Sequence, residues 1–280
     1  AHYDKSHPMI AANYNNLGIC YHKKGDYDLG IEYMERALNI RMSIHGENHL
    51  QTAMSINNIG VCYESKGDYD QSILYYKRSL KIRKSVFGHQ HPDIAMNFNN
   101  VGICYEKMGD YDIAIYYHKR TLNLFLKIFG EHHPMLSECY NNLGACFVGK
   151  ENFEQAITYF EKSINLRLKL LGEKHPDTAL TYLNLGSCRQ QNGDDPFTDI
   201  QNALNSLCLN YHNHNPLHNP TLSEYSSAPI FLEVLTKKAK AFFLLFTNSD
   251  TPVLLHLLAA YNTYHLAVQL IDQMRGSYQA

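Results

Sequence analysis

Apolar and aromatic side chains return at intervals of three and four along most of this chain, with polar residues between them. Tyr14, Leu17 and Tyr21 form one such stripe, and Ile31, Met34 and Leu38 form the next. That spacing is the one an α-helix needs to bury a single face. The stripes break at regular places. His91-Pro92-Asp93 opens a helix, because proline suits the first turn, where its missing N–H costs nothing, and Asp93 complements the positive helix end. This helix runs to about Met108, and Gly109-Asp110 ends it, glycine tolerating the left-handed turn at a helix C-terminus. A second helix follows from about Tyr111 to Phe129 and stops at Gly130. Gly25-Asp26, Gly67-Asp68 and Gly193-Asp194 repeat the first break, and Gly46, Gly88 and Gly172 repeat the second. Glu151-Asn152 takes the first place in one pair of helices, with asparagine as the usual substitute for glycine.

The pairs are copies of one another. Gly18, Gly60, Gly102, Gly144 and Gly186 stand 42 residues apart. Around them the chain reads NNLGICY at Asn15, NNIGVCY at Asn57, NNVGICY at Asn99, NNLGACF at Asn141 and LNLGSCR at Leu183. Self-similarity at such a period means stacked supersecondary units, so an all-α solenoid of about five 42-residue repeats is expected. Gly18 with Gly30, Gly60 with Ser72, Gly102 with Ala114 and Gly144 with Ala156 are each 12 apart, which places a small side chain on both helices where they cross closely. The opening residues AHYDKSHP align on the loop that ends at Leu50. A start without Met inside a closing loop is expected of a fragment of something longer.

After Asp194 the register fails. A weaker second helix is expected from Phe197 to about Leu209, then the polar loop NYHNHNPLHNPTLSEYSS, then a helix from Pro229 to Phe246. Thr251-Pro252 reads as a cap opening a last helix to about Met274. Ala239, Phe242, Ala260, Tyr264 and Ala267 fall on repeat positions, so this hairpin is a sixth, divergent, capping unit. The division expected is repeats over 1–193, a degenerate helix and polar loop over 194–226, and the divergent hairpin over 227–280.

Composition narrows what such a stack does. Hydrophobic residues make up 45% and charged residues 19%, ample for a core, while the net charge is only −2 and Lys and Arg form no runs. Nucleic acid is therefore not an expected partner. No apolar stretch reaches the roughly 18 residues of a membrane span, the longest, Ala241 to Phe246, being too short. Five of the seven cysteines, Cys20, Cys62, Cys104, Cys146 and Cys188, share one repeat position. Equivalent positions in neighbouring units lie about two helix spacings of about 8–10 Å apart, beyond the ~7 Å a disulfide allows. They read as small buried hydrophobes in a reducing, cytoplasmic compartment.

The pattern of Tyr14, Leu17-Gly18, Tyr21, Gly30, Met34 and Ala37 resembles the tetratricopeptide repeat signature, and the 42-residue period with its G-x-x-HP connectors is similar to that of kinesin light chains. The resemblance implies a right-handed superhelix of antiparallel hairpins whose first helices line a concave groove. Residues 219–243 and 257–278 resemble the junction between such repeats and a CHAT domain, a caspase-like protease module. The order NP, FLEVL, KA and LIDQMRGSY carries that second likeness. The implied His and Cys dyad would lie beyond Ala280, so no residue here inherits a catalytic role and this chain is not expected to be an enzyme.

Candidate chemistry within the chain is sparse. Among 16 histidines, His7, His49, His91, His133 and His175 sit one per connector and are read as loop caps. His212, His214 and His218 form H-x-H-x3-H with no fixed carboxylate or Cys beside them, so no metal and no cofactor is expected. Cys139 and Cys208 lie outside the cysteine ladder without a pairing histidine. The asparagines stand out. Asn15, Asn57, Asn99 and Asn141 project from successive first helices, beside a second column of Asn16, Asn58, Asn100, Asn142 and Asn184. A carboxamide both donates and accepts, so a row of them can pair with the backbone of an extended peptide. The first column is read as ligand-facing and the second as bonding within the stack, the converse staying open for each. Met54 and Met96 before the asparagines, and Ile19, Val61 and Ile103 after them, complete the groove, with Glu64 and Glu106 a turn further, favouring a basic or mixed peptide. The expected function is a protein- or peptide-binding scaffold, either the sensor region of a CHAT protein or a stand-alone cargo adaptor. Oligomeric state is not readable at this level.

Overall fold

A computed structural model describes residues 7–222, 225–248 and 253–279 of the chain. Among them are twelve helices and no strand, with one isolated antiparallel bridge between Cys208 and Tyr225. The helices fall into two compact units, Ala1–His133 and Pro134–Ala280. The first holds three hairpins: α1 (Pro8–Lys24) with α2 (Tyr27–His45), α3 (Leu50–Lys66) with α4 (Tyr69–Phe87), and α5 (Pro92–Met108) with α6 (Tyr111–Phe129). Each of these helices packs on its sequence neighbours. The second holds α7 (Pro134–Gly149) with α8 (Phe153–Leu171), α9 (Pro176–Asn192) with α10 (Phe197–Leu207), and α11 (Ala228–Thr247) with α12 (Leu254–Gln279). Here α11 also packs on α9 and α10. Odd-numbered helices are the A helices of their hairpins and even-numbered ones the B helices. α10 ends at Leu207, two residues before the expected end, because Cys208 turns extended and bridges Tyr225. The expected cap Thr251-Pro252 lies outside the described residues; α12 itself runs on past Met274.

Local chemistry explains the helix ends. Nδ1 of His7, His49, His91 and His175 accepts a hydrogen bond from the backbone N–H two residues on, at 3.1–3.2 Å. These histidines do the work of a serine or aspartate cap, satisfying one of the free donors of the first turn. His91 and His133 also stack on Phe87 and Phe129 of the preceding helices, with ring centroids 3.6 and 4.0 Å apart. Gly25, Gly67, Gly109 and Gly193 take the left-handed conformation after the A helices. In the fourth repeat the substitute is different from the one expected. Glu151 takes the left-handed position, with φ +57°, while Asn152 caps α8 by accepting from the Gln155 N–H at 3.2 Å. Asn152 aligns with the aspartates that open the other B helices, so its amide oxygen is needed there.

The A-helix glycines make sockets. A Cβ built on Gly60 would lie 2.9 Å from the ring of Tyr76; on Gly102, 2.8 Å from His118; and on Gly144, 2.7 Å from Phe160. In the first repeat the same position meets Met34 at 2.6 Å and the Gly30 carbonyl at 2.9 Å. The expected pairing of two small residues 12 apart is thus only half of the contact. The large B-helix side chain 16 residues on is what requires a glycine, while the residue at 12 keeps the backbones close. Ser72 adds a bond here, its Oγ donating to the Gly60 carbonyl at 2.8 Å.

Arginines join one repeat to the next. Arg41 donates to Ser55 Oγ at 2.7 Å, and Arg83 donates to Asn97 Oδ1 at 2.8 Å and to the Asp93 carbonyl at 3.0 Å. In the second unit Arg167 reaches Thr181 and the Asp177 carbonyl in the same way. Each guanidinium spans a connector from a B helix to the following A helix, its planar fork holding several acceptors at once. Cys62, Cys104, Cys146 and Cys188 are buried as expected, but Cys20 is exposed and Leu17 is 43% exposed. Cys62 packs on Met34 of the preceding hairpin, at 3.6 Å between sulfurs. Among the described residues no hairpin precedes α1, so the corresponding face is uncovered.

The divergent end of the second unit is held by two lysine ammonium groups, one half-buried and one buried. Lys174 donates to the carbonyls of Asn205, Cys208 and Tyr211 at 2.6–2.9 Å and so closes the C-terminus of α10. Lys238, 1% exposed on α11, donates to Gln201 Oε1, the His218 carbonyl and Asn219 Oδ1 at 2.6–3.0 Å. Asn219 in turn donates to Thr263 of α12 at 3.0 Å. One lysine therefore pins the polar loop between α10 and the terminal hairpin.

Two stability measurements follow. Replacing Glu151→Gly removes the left-handed penalty of a side-chain-bearing residue, so urea unfolding is expected to show a gain of about 0.5–1 kcal/mol. Burial pushes the Lys238 ammonium down to about 7, whereas an unfolded lysine keeps its proton to about pH 10.4. Between those values the unfolded chain binds more protons, so stability rises with pH, by at most about 1.4 kcal/mol per pH unit from this group. Urea midpoints measured between pH 7 and pH 9 are expected to climb in the wild type, and that contribution to the climb to be lost in Lys238→Met.

Candidate functional site

The A helices carry the candidate residues on one face. On α3, Met54, Asn57, Val61 and Glu64 follow intervals of three, four and three, and on α5 Met96, Asn99, Ile103 and Glu106 do the same. Asn15 and Ile19 occupy the matching places on α1, and Asn141 does so on α7 in the second unit. Met54 and Met96 are each 46% exposed; the other nine residues are half-buried. The spacing brings each helix's set together on one face and leaves thioethers as the most accessible apolar surface, a side chain suited to adaptable contact.

The structure divides three of the four first-column carboxamides, those of Asn15, Asn57 and Asn141, in two. Asn15 Oδ1 accepts from Asn58 Nδ2 of the next repeat at 2.9 Å, and Asn57 Oδ1 accepts from Asn97 Nδ2 at 3.2 Å. In the second unit Asn141 Oδ1 accepts from Asn184 Nδ2 at 3.1 Å. Asn99 Oδ1 lies 3.2 Å from Nδ1 of His118. The oxygen ends are therefore engaged inside the stack. The amide nitrogens of Asn15, Asn57 and Asn141 make no hydrogen bond to a described protein group. At those three positions the N–H donors remain available, complementary to carbonyl or carboxylate oxygen. The second column supplies the bond that turns the first: Asn58 and Asn184 are the donors to the row beside them.

The two groove acids are tied to B helices through the glycine sockets. Tyr76 Oη, on a fully buried ring, donates to Glu64 Oε2 at 2.6 Å. Burial pushes the Glu64 carboxyl above the usual range, against the opposing pull of the Tyr76 bond. In the next repeat Nε2 of the fully buried His118 lies 3.8 Å from Glu106 Oε2. Neither Tyr76 nor His118 was singled out from the sequence, although both stand 16 residues after a socket glycine. Arg41, Arg83 and Arg167 were likewise missed, although they share one repeat position, 42 and 84 residues apart, whereas Lys174 and Lys238 carry no such periodic signal.

The other candidate chemistries are not assembled. His212, His214 and His218 are exposed, and among the described residues they do not bring three donor atoms within reach of one ion. Burial pushes the Cys139 thiol up to about 12 and the Cys208 thiol up to about 11, the direction opposite to that of an activated nucleophile. Cys62, Cys104 and Cys188 are pushed up to about 11 by the same cause.

Antiparallel helix pairs repeated at a fixed period, with side-chain amides in register on their first helices, define an all-α repeat protein of the solenoid class. The family model described as "Tetratricopeptide repeat" matches residues 9–85, 66–127, 93–169 and 149–196, and the chain belongs to that family. Among solved structures it is similar to a putative kinesin light chain with nearly identical TPR-like repeats from Podosopora anserina, at 17% identity and a TM-score of 0.58, over 67% of this chain and 89% of that one. BtubC (BKLC) from P. vanneervenii matches at 21% identity and a TM-score of 0.60, over 79% and 89%. The apo form of RapI matches at 18% and 0.63, over 98% of this chain and 87% of that one. At these identities the likeness is one of fold. No curated protein matches the sequence.

Thiol accessibility gives a direct check on the packing. Under native conditions iodoacetamide is expected to modify Cys20 and to leave the buried thiols untouched until urea unfolds the chain, with mass spectrometry of the peptides locating the label.

Proposed function

We propose that the chain is a protein-binding scaffold that reads an extended peptide along the A-helix face, chiefly through the peptide's backbone carbonyl oxygens. The observation that carries this reading is the divided carboxamide: the oxygens are engaged within the stack, and the nitrogens of Asn15, Asn57 and Asn141 are left to donate. Backbone oxygens recur along any extended chain, so the donors of Asn15 and Asn57 on adjacent A helices of the first unit suit a peptide without depending on its side chains, and Asn141 offers the same donor within the second unit. Met54 and Met96 add apolar contact, and Ile19, Val61 and Ile103 line the same face beside the asparagines. Glu64 and Glu106 favour a basic residue in the ligand only weakly, since Tyr76 already donates to one and His118 faces the other.

The scaffold is further proposed to be the sensor region of a caspase-like CHAT protein in a reducing, cytoplasmic setting. The resemblance of residues 219–243 and 257–278 to a repeat-to-protease junction supports this, and the buried free thiols suit the setting. Binding on the A-helix face would bias the arrangement of hairpins and so the module attached to them. A second reading, a cargo adaptor resembling kinesin light chain, is favoured by the 42-residue period and by the likeness of fold to a putative kinesin light chain. A His and Cys protease module further along the parent protein would support the first, and its absence there the second.

Asn57→Asp tests the binding reading cleanly. It keeps an oxygen for Asn97 to donate to and replaces only the outward N–H donors. Peptides selected from a displayed random library against the wild-type chain are expected to bind Asn57→Asp about tenfold more weakly by fluorescence anisotropy, and Asn15→Asp similarly. Unchanged affinity in both variants, with unchanged unfolding curves, would remove the amide row from the binding site.

A further inference from the structure

Helix α12 is apolar on two opposite sides. Its inner side, with Ala259, Ala260, Thr263, Ala267 and Leu270 buried, packs on α11. On the outer side Leu254 is 73% exposed, Tyr261 65%, Val268 53% and Leu258 51%. With His265 these residues follow intervals of four, three, four and three, the seam spacing of a two-stranded coil. Leu255 and Tyr264 flank the seam and are also exposed. Residues 253–271 contain no Asp, Glu, Lys or Arg. A helix that is apolar all round is normally covered all round, and a contiguous apolar patch of this kind marks an interaction surface.

We propose that the outer face of α12 pairs antiparallel with the same face of a second copy of this chain, forming a two-fold dimer. Three observations select that occupant. The first is area: with about 150–250 Å² for an aromatic side chain, and somewhat less for Leu and Val, the exposed fractions amount to roughly 600 Å² per copy. A pair removes about 1,200 Å² from water, which reaches the lower bound of a stable specific interface.

The second is self-complementarity. Read in reverse, the seam sets Leu258 against Val268 and Tyr261 against His265, so at its centre apolar bulk meets apolar bulk and the two rings meet near the two-fold axis, while Leu254 falls opposite Asp272 at the rim. The third is charge. Asp272 and Arg275 lie toward one end of the helix, so a parallel pair would set Asp272 beside Asp272, whereas an antiparallel pair holds the like charges apart. A bilayer is the poorer occupant. No helix among the described residues is long and apolar enough to cross one, and this helix lacks the cationic flank of a surface-lying anchor.

Sedimentation equilibrium of the purified chain is expected to give twice the 32.2 kDa of one copy at micromolar concentration. Leu258→Glu with Tyr261→Glu is expected to raise the dissociation constant about 100-fold or more by placing unpaired carboxylates in the seam. Both positions are exposed, so circular dichroism and the thermal midpoint should match the wild type. Leu74→Glu, 60% exposed on α4, should leave the dimer intact. A wild-type chain that stays monomeric, or a dimer that survives the double substitution, overturns the proposal. So does a monomeric chain that instead binds phosphatidylserine vesicles. Orientation is read in a Cys20→Ser background by mixing copies carrying Leu254→Cys with copies carrying Asp272→Cys. Disulfides between the two kinds are expected, and disulfides within one kind overturn the antiparallel arrangement.

Discussion

The close approach of a large B-helix side chain to a bare glycine on the A helix is the contact on which each of the first four hairpins depends. Met34, Tyr76, His118 and Phe160 lie where a single methyl group on Gly18, Gly60, Gly102 or Gly144 would collide with them. Because the socket admits the side chain, the helices come near enough for an aromatic pair to form beside it in each of these four hairpins. Tyr21 stacks on Tyr33, Tyr63 on Tyr75, Tyr105 on Tyr117 and Phe147 on Tyr159, with centroids 5.3–5.8 Å apart. The same geometry carries a polar tip through to the outer face, where the Tyr76 hydroxyl reaches Glu64. Packing and the chemistry of the proposed binding face are therefore coupled: the buried residue of the B helix helps decide how acidic the A-helix face is.

Between hairpins the cohesion is partly polar, and it is satisfied bond by bond. Arginines from B helices cross the connectors, and carboxamides of adjacent A helices bond to each other. Buried polar groups are costly unless paired, so these bonds specify which face of each helix meets the next. They also leave a residue of unpaired donors at the surface. The proposed ligand contacts and the bonds that align the repeats arise from opposite ends of the same side chains.

Much of this was legible beforehand, because a repeat writes each structural requirement several times. Pro92 and His91 before a helix, Gly67 or Gly109 after one, and Gly60 within one each appear at fixed register, and each has a local physical cause. The histidine caps and the buried thiols follow from the same repetition. Where repetition ceased, legibility ceased with it. Lys238 and Lys174 lie in or beside the divergent segment, and an isolated lysine gives no local sign that three oxygens from distant positions converge on it.

The sequence by itself determined the helices, their pairing, the period and the columns of asparagine, since these rest on interactions within or between neighbouring turns and repeats. Only the tertiary structure decided which end of each carboxamide is engaged, which glycine neighbour requires the gap, and that Glu151 carries the left-handed turn. It also decided that α12 is apolar on its outer as well as its inner side. Those outcomes depend on side-chain direction and on partners brought together by folding, and a pattern of residue types carries neither.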